Sequence, residues 1–141
     1  MAKKALHKIP DPKYLGIPNI CFSLTEKDDK REKKFSRQRK LRGFDNSETW
    51  WLHGTISSFI IPRLRDFKDS TNGYPMGMTS DKWDEIIDKM IRAFELAASD
   101  KWEIGYYDSP KTKEEKIRTK NYKEYEEGIK LFSEYFLELW W

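Results

Sequence analysis

Between Trp83 and Ala98 the apolar residues line up along one side of a helix. Trp83, Ile86, Ile87, Met90, Ile91, Phe94, Ala97 and Ala98 recur at three- and four-residue intervals, the period of an α-helix with one buried face. Asp81, Asp84, Glu85 and Asp88 crowd the start, where the helix dipole favours negative charge. Thr79 or Ser80 is a natural N-cap. The spacing predicts a helix over about 80–99. A helix with one apolar face must bury that face against something, so the rest of the chain has to supply partners for it.

Two further segments can do so. Asp45 and Glu48 have the spacing of a capping box, and behind them Leu52, Ile56, Phe59, Ile60, Leu64 and Phe67 repeat with helical period. This predicts a helix over about 46–69, kinked at Pro62, which lacks a backbone donor. A last helix, over about 110–139, is expected to open at Ser109-Pro110. Its first half, "KTKEEKIRTKN", is polar nearly all round, and from Tyr125 a stripe of Ile129, Phe132, Phe136 and Leu139 appears. Gly128 interrupts that stripe at a cost of about 1 kcal/mol relative to alanine. "TNGYPMG" (71–77) reads as a joint, with Asn72-Gly73 supplying left-handed backbone and Pro75 and Gly77 turning the chain. The expected fold class is all-α: three main helices, with residues 43–141 as a single helical domain.

Residues 1–42 read as an extended, basic N-terminal arm. Pro10, Pro12 and Pro18 disfavour helix around them, "NICFSL" (19–24) suits one short strand, and 26–42 is a charge run that is either a short exposed helix or a loop. This arm holds 13 Lys and Arg against 5 Asp and Glu, a net of +8; residues 43–141 hold 14 against 19, a net of −5. A basic front on an acidic body points to an anionic partner or to front-to-body self-association. With 36% charged residues, core formation depends on the aromatics, which make up 15% of the chain and bury much area apiece.

One cysteine and two histidines exclude an internal disulfide and a cysteine-based zinc cluster. Phosphate loops, dinucleotide fingerprints and nucleophile elbows are absent from the sequence. No apolar run is long enough for a signal peptide or a membrane span. Three groups remain. His53 and Ser57 lie one helical turn apart, but nothing nearby marks an orienting acid or an oxyanion site. The acids at 81–88 suit a divalent cation, and equally a helix start. The basic run offers Arg37, Arg39, Lys40 and Arg42 for phosphates, with Trp51, one of the adjacent pair Trp50-Trp51, as an exposed stacking surface. Those five residues form the expected ligand-binding set. No catalytic residue, metal or cofactor is expected. The apolar end Trp140-Trp141 has to pack on the body or on a second copy.

"RGFDNSETWW", "IIPRL", "NGYPMGMTSDKW", "DKMIRAFEL" and the ending "EGIKLFSEYFLELWW" together resemble a family of small, mostly uncharacterised proteins of tailed bacteriophages and prophages. The resemblance runs from residue 42 to the end. Relatives usually carry an acid at position 53 and often a small residue at 51, so His53 and Trp51 depart from the pattern. The resemblance implies a phage-encoded protein in the host bacterial cytoplasm and names no reaction. The function expected on these grounds is non-enzymatic binding that counters a host process, most plausibly antiviral defence, by sequestering an anionic nucleotide signal or blocking a defence protein. The alternatives are nucleic-acid binding in replication or transcription, and virion assembly, with a homo-oligomer formed through Trp140-Trp141.

Overall fold

The computed structural model describes residues 22–25, 28–70, 73–99 and 104–140. Five α-helices follow in order: α1 (Glu32–Arg42), the single turn α2 (Ser47–Trp50), α3 (Leu52–Ser70), α4 (Ser80–Ala97) and α5 (Lys113–Glu134), then a 3₁₀ turn over Phe136–Glu138. No strand occurs among the described residues, so the chain is all-α. It divides into two compact units, Met1–Phe59 and Ile60–Trp141. The division falls inside α3, not at the composition change near residue 42.

In the second unit, α4 supplies the core. Thr79 caps it, its hydroxyl accepting from the Lys82 amide at 3.2 Å. Trp83, Ile86, Ile87, Met90, Ile91 and Phe94 are buried with Leu64 of α3. Phe132 stands edge-on to Phe94 at 4.9 Å, and Tyr135 edge-on to Trp83 at 5.6 Å. The stripe read from the sequence is therefore the centre of this unit. Gly128 lies where α5 crosses α4: a Cβ there would come within 2.2 Å of the Lys89 carbonyl oxygen and 2.4 Å of the Ala93 Cβ. The glycine that looks like a defect in α5 is what lets the two backbones touch.

Several boundaries differ from expectation. The helix expected over 46–69 is two helices, interrupted at Trp51 (φ −130°, ψ 62°) while α3 runs on through Pro62. The Trp51 ring lies flat over Gly54, where an added Cβ would sit 2.5 Å from it. The Thr55 hydroxyl donates to the Glu48 carbonyl at 2.6 Å and ties α2 to the start of α3. The early stripe of α3 is also inverted. Leu52, Ile56 and Phe59 are exposed, and Gly54, Ser57 and Ser58 are buried in their place; small residues give that side the closer approach. α5 starts at a capping box of Thr112 and Glu115, not at Ser109-Pro110, because Glu115 accepts the Lys111 and Thr112 amides. It ends at Glu134, and Leu139 follows the 3₁₀ turn. The left-handed glycine of the joint is Gly77 (φ 79°) and not Gly73; Asn72 and Trp141 lie outside the described residues.

Candidate anion-binding surface

Of the two readings of the basic run, helix or loop, the helix holds over Glu32–Arg42. Residues 32–42 are helical, and the inner side of α1 is fixed by buried groups. Phe35 is buried, with Trp50 edge-on to it at 5.6 Å. Gly43 ends the helix in left-handed backbone (φ 85°), its amide donating to the Arg39 carbonyl at 2.8 Å. A glycine adopts this cap without strain, and the turn returns the chain so that Asp45 meets Arg39.

Around that meeting point the unit is held by polar groups. Arg39 is 7% exposed, its guanidinium ion-paired with both Glu32 and Asp45 and also donating to the Ser23 hydroxyl at 3.2 Å. Asp45, fully buried, accepts from the Ser47 amide at 2.8 Å and from the Ser47 hydroxyl. Glu48 accepts two backbone amides, from Asp45 at 2.7 Å and from Phe22 at 3.0 Å. The Leu24 amide donates to the Ser47 hydroxyl oxygen at 2.9 Å. The expected strand over 19–24, of which 19–21 lie outside the described residues, is thus replaced by a segment whose alternate amides, at 22 and 24, are satisfied by side chains of α2. The spacing of Asp45 and Glu48 did signal half of a capping box: Glu48 reaches back to the Asp45 amide.

Two carboxylates share one guanidinium here, and Glu48 lies within reach of the charges of both Asp45 and Arg39. Burial pushes the Glu48 carboxyl above its usual range, the two amide hydrogen bonds pull the other way, and the charge of Asp45 adds to the rise. A carboxyl whose folded value is raised stabilises the fold fully below its unfolded value, near 4.5; that contribution is lost as pH rises through the folded value. Urea denaturation across pH 4 to 7 should therefore show a falling contribution in the native sequence that Glu48→Gln lacks. Identical slopes in the two proteins would refute the assignment.

The outer side of α1 carries a different population. Lys33, Lys34, Arg37 and Lys40 are exposed, and none makes an ion pair among the described residues. They span eight residues, or about 10 Å of helix, with Lys30 just ahead. In the second unit, by contrast, Arg65, Lys68, Lys82, Lys89 and Arg92 are each paired with an acid.

The five residues expected to bind ligand separate on this framework. Arg37 and Lys40 stand on the open face. Arg42 is exposed at its end, bonded to the Phe44 carbonyl and Asn46 side chain and lying 4.3 Å over the Phe44 ring. Arg39 corrects the expectation: its guanidinium is buried and satisfied by carboxylates, so it positions the helix and does not face solvent. Trp51 is a second correction, being half-buried on Gly54 and edge-on to His53 at 5.0 Å. The aromatic beside α1 is Trp50, 55% exposed, with the Arg31 guanidinium 5.0 Å from its ring. Lys33 and Lys34 were missed as individuals, although their spacing to Arg37 and Lys40 is the helical signal that groups them. The Ser57 hydroxyl donates to the main-chain oxygen of His53 at 2.6 Å, so the described geometry engages the backbone of His53 and not its ring.

The acids at 81–88 line a surface groove of about 580 Å³ together with Lys89, Arg92, Glu124 and Glu127. Among the described residues no group of three potential ligands is placed to hold a metal, and no helix is long and apolar enough to cross a membrane. No family model, curated protein or solved structure matches the chain.

Proposed function

We propose that this chain is a non-enzymatic binding protein that engages an anionic partner through the outer face of α1. The observation that carries this reading is the row Lys33, Lys34, Arg37 and Lys40, unpaired on a helix whose inner side is locked by Arg39. A fixed helix holds the four charges in register without a backbone ordering cost at binding, and phosphate groups are the anions such a row suits. Arg42 adds an exposed side chain at the C-terminal end of the same helix.

The resemblance to tailed-phage proteins supports placing this activity in the cytoplasm of an infected bacterium. There the partner would be a nucleotide signal of antiviral defence, sequestered by the protein, or an acidic surface of a defence protein. Nucleic acid bound during replication or transcription is the alternative partner.

Replacing Lys33, Lys34, Arg37 and Lys40 together with glutamine decides the site. With labelled cyclic oligonucleotides and oligonucleotides as probes, affinity at low salt should drop at least about tenfold. For a single strand the slope of log affinity against log salt should flatten by roughly 0.7 for each phosphate contact removed. Unchanged affinity for every probe that the native protein binds would overturn the α1 reading. Failure to rescue phage in defended cells would remove the anti-defence context alone.

A further inference from the structure

Tyrosines and carboxylates that the α1 reading does not use meet where α5 is joined by the segment ahead of it. Residues 104–108 run beside the helix. The Gly105 amide donates to the Arg118 carbonyl at 3.3 Å, and the Arg118 guanidinium donates to the Tyr107 hydroxyl at 3.4 Å. A Cβ on Gly105 would come within 3.0 Å of the Tyr107 ring, so Tyr107 lies close against its own backbone and the segment is fixed on α5. Its neighbour Tyr106 is left 70% exposed.

Tyr106 is nonetheless held in place. Tyr122 stands edge-on to it at 5.8 Å, and Tyr125 is tilted at 46° to Tyr122 with the ring centres 6.2 Å apart. The Tyr106 hydroxyl is hydrogen-bonded to Asp108. That bond, then partial desolvation and then the charge of Glu126, keeps the phenol above its ordinary value, so both carboxylates act on one ring. Glu126 follows Tyr122 by four residues, one turn along the same side of α5. Neither Asp108 nor Glu126 forms an ion pair among the described residues, whereas Glu124 and Glu127 are joined to Arg92 and Lys89. No cation–π contact among the described residues involves these three rings. Arg118, on the turn before Tyr122, is engaged by Tyr107, and Lys123 is about 100° round the helix from Tyr122.

This corner has the wrong charge for phosphate and the right one for a cation. Cations are attracted to the faces of aromatic rings, and the carboxylates add acceptors beside the ring. A guanidinium uses both, because it is planar enough to stack and donates to a carboxylate in a fork. A quaternary ammonium has no N–H to give the carboxylates and is best held inside a cage of rings, while Tyr106 is open to solvent.

We infer that the corner formed by Tyr106, Tyr122, Asp108 and Glu126 is a docking point for an arginine side chain of a partner protein. The guanidinium lies on the Tyr106 ring and donates to the two carboxylates. This inference stands on the corner alone and does not rest on the α1 reading, which calls for a partner of the opposite charge.

The test titrates the full chain with a capped Gly-Ser-Arg-Ser-Gly peptide, with its lysine counterpart and with tetramethylammonium chloride, all at constant ionic strength. The aromatic proton and carbon shifts of the tyrosines are followed by NMR. The expected result is a saturable shift at Tyr106 and Tyr122 with the arginine peptide, half-complete at a lower concentration than with either other probe. Tyr106→Leu, read at Tyr122, should bind the arginine peptide about two- to fivefold more weakly. Asp108→Asn combined with Glu126→Gln keeps the polar shape and removes the charge; it should weaken the arginine peptide at least as much. Hydrogen exchange of the α4 amides checks that both variants keep the fold. Shifts that rise linearly without saturating, binding of the lysine peptide or tetramethylammonium as tight as that of the arginine peptide, or native affinity in either variant would overturn the inference.

Discussion

Arg39→Ala should unfold α1 from its unit, at a cost of about 3–5 kcal/mol. The substitution leaves Asp45, fully buried, and Glu32 facing each other without the guanidinium that joins them. It also strips a donor from the Ser23 hydroxyl. Most of the cost is that of uncompensated buried charge, not of lost attraction, since a buried ion pair gives little net stability while intact. Hydrogen exchange of the α1 amides reads the effect directly, because protection there reports local opening. Arg37→Ala is the internal control. It removes the same kind of side chain two positions earlier on the open face, and should change stability by no more than about 0.5 kcal/mol. Equal protection loss in the two variants would mean that the Arg39 network does not hold the helix.

Gly128→Ala is the second large effect, and its sign is the informative part. On an exposed or loosely packed helix the change would stabilise by about 1 kcal/mol, because alanine is the better helix former. Here the new methyl group would lie 2.2 Å from a main-chain oxygen of α4, and backbone cannot rotate away as a side chain can. The helices must separate, and the contacts of Phe132 and Tyr135 with Phe94 and Trp83 open with them. Overpacking of this kind costs typically about 1–3 kcal/mol, which outweighs the helix gain, and Gly128→Leu should cost more than Gly128→Ala. Thermal or urea denaturation in that series checks it; a stabilised Gly128→Ala would show that α4 and α5 do not meet there.

The parts of the structure legible in the sequence are those governed by a single period. α4 was visible because nearly all of its buried residues obey one helical repeat, Leu96 being the exception, and its cap precedes them directly. α3 was legible only in its second half, where Leu64 and Phe67 pack with the core. In its first half the apolar residues and the buried residues are different sets: Ser57 is buried because its hydroxyl finds a carbonyl on its own helix, and Leu52 and Ile56 face outward. Hydrophobic period alone cannot foresee a buried face made of glycine and serine. The α1 network was hidden for a similar reason. Arg39 reads as one more cation in a basic run, and only the three-dimensional return of the chain at Gly43 brings Asp45 to it. Of the expected ligand set, Arg37 and Lys40 needed only exposure, which charge predicts. Arg39 and Trp51 depended on what lies opposite each side chain, which it does not.

The way residues 22–59 are held together has a thermal consequence. Their buried groups are mostly polar: Ser23, Arg39, Asp45, Ser47, Glu48, Ser57 and Ser58, with Phe22 and Phe35 the buried large apolar residues among those described. The heat-capacity change of unfolding rises with apolar surface and falls with polar surface exposed. This unit therefore adds little curvature to stability against temperature, whereas the α4 core of Trp83, Ile87 and Met90 carries most of it. On cooling, the hydrophobic contribution of that core weakens while the ionic lock on α1 is governed by hydration of charge, so the two ends of α3 answer to different temperature laws within one continuous helix.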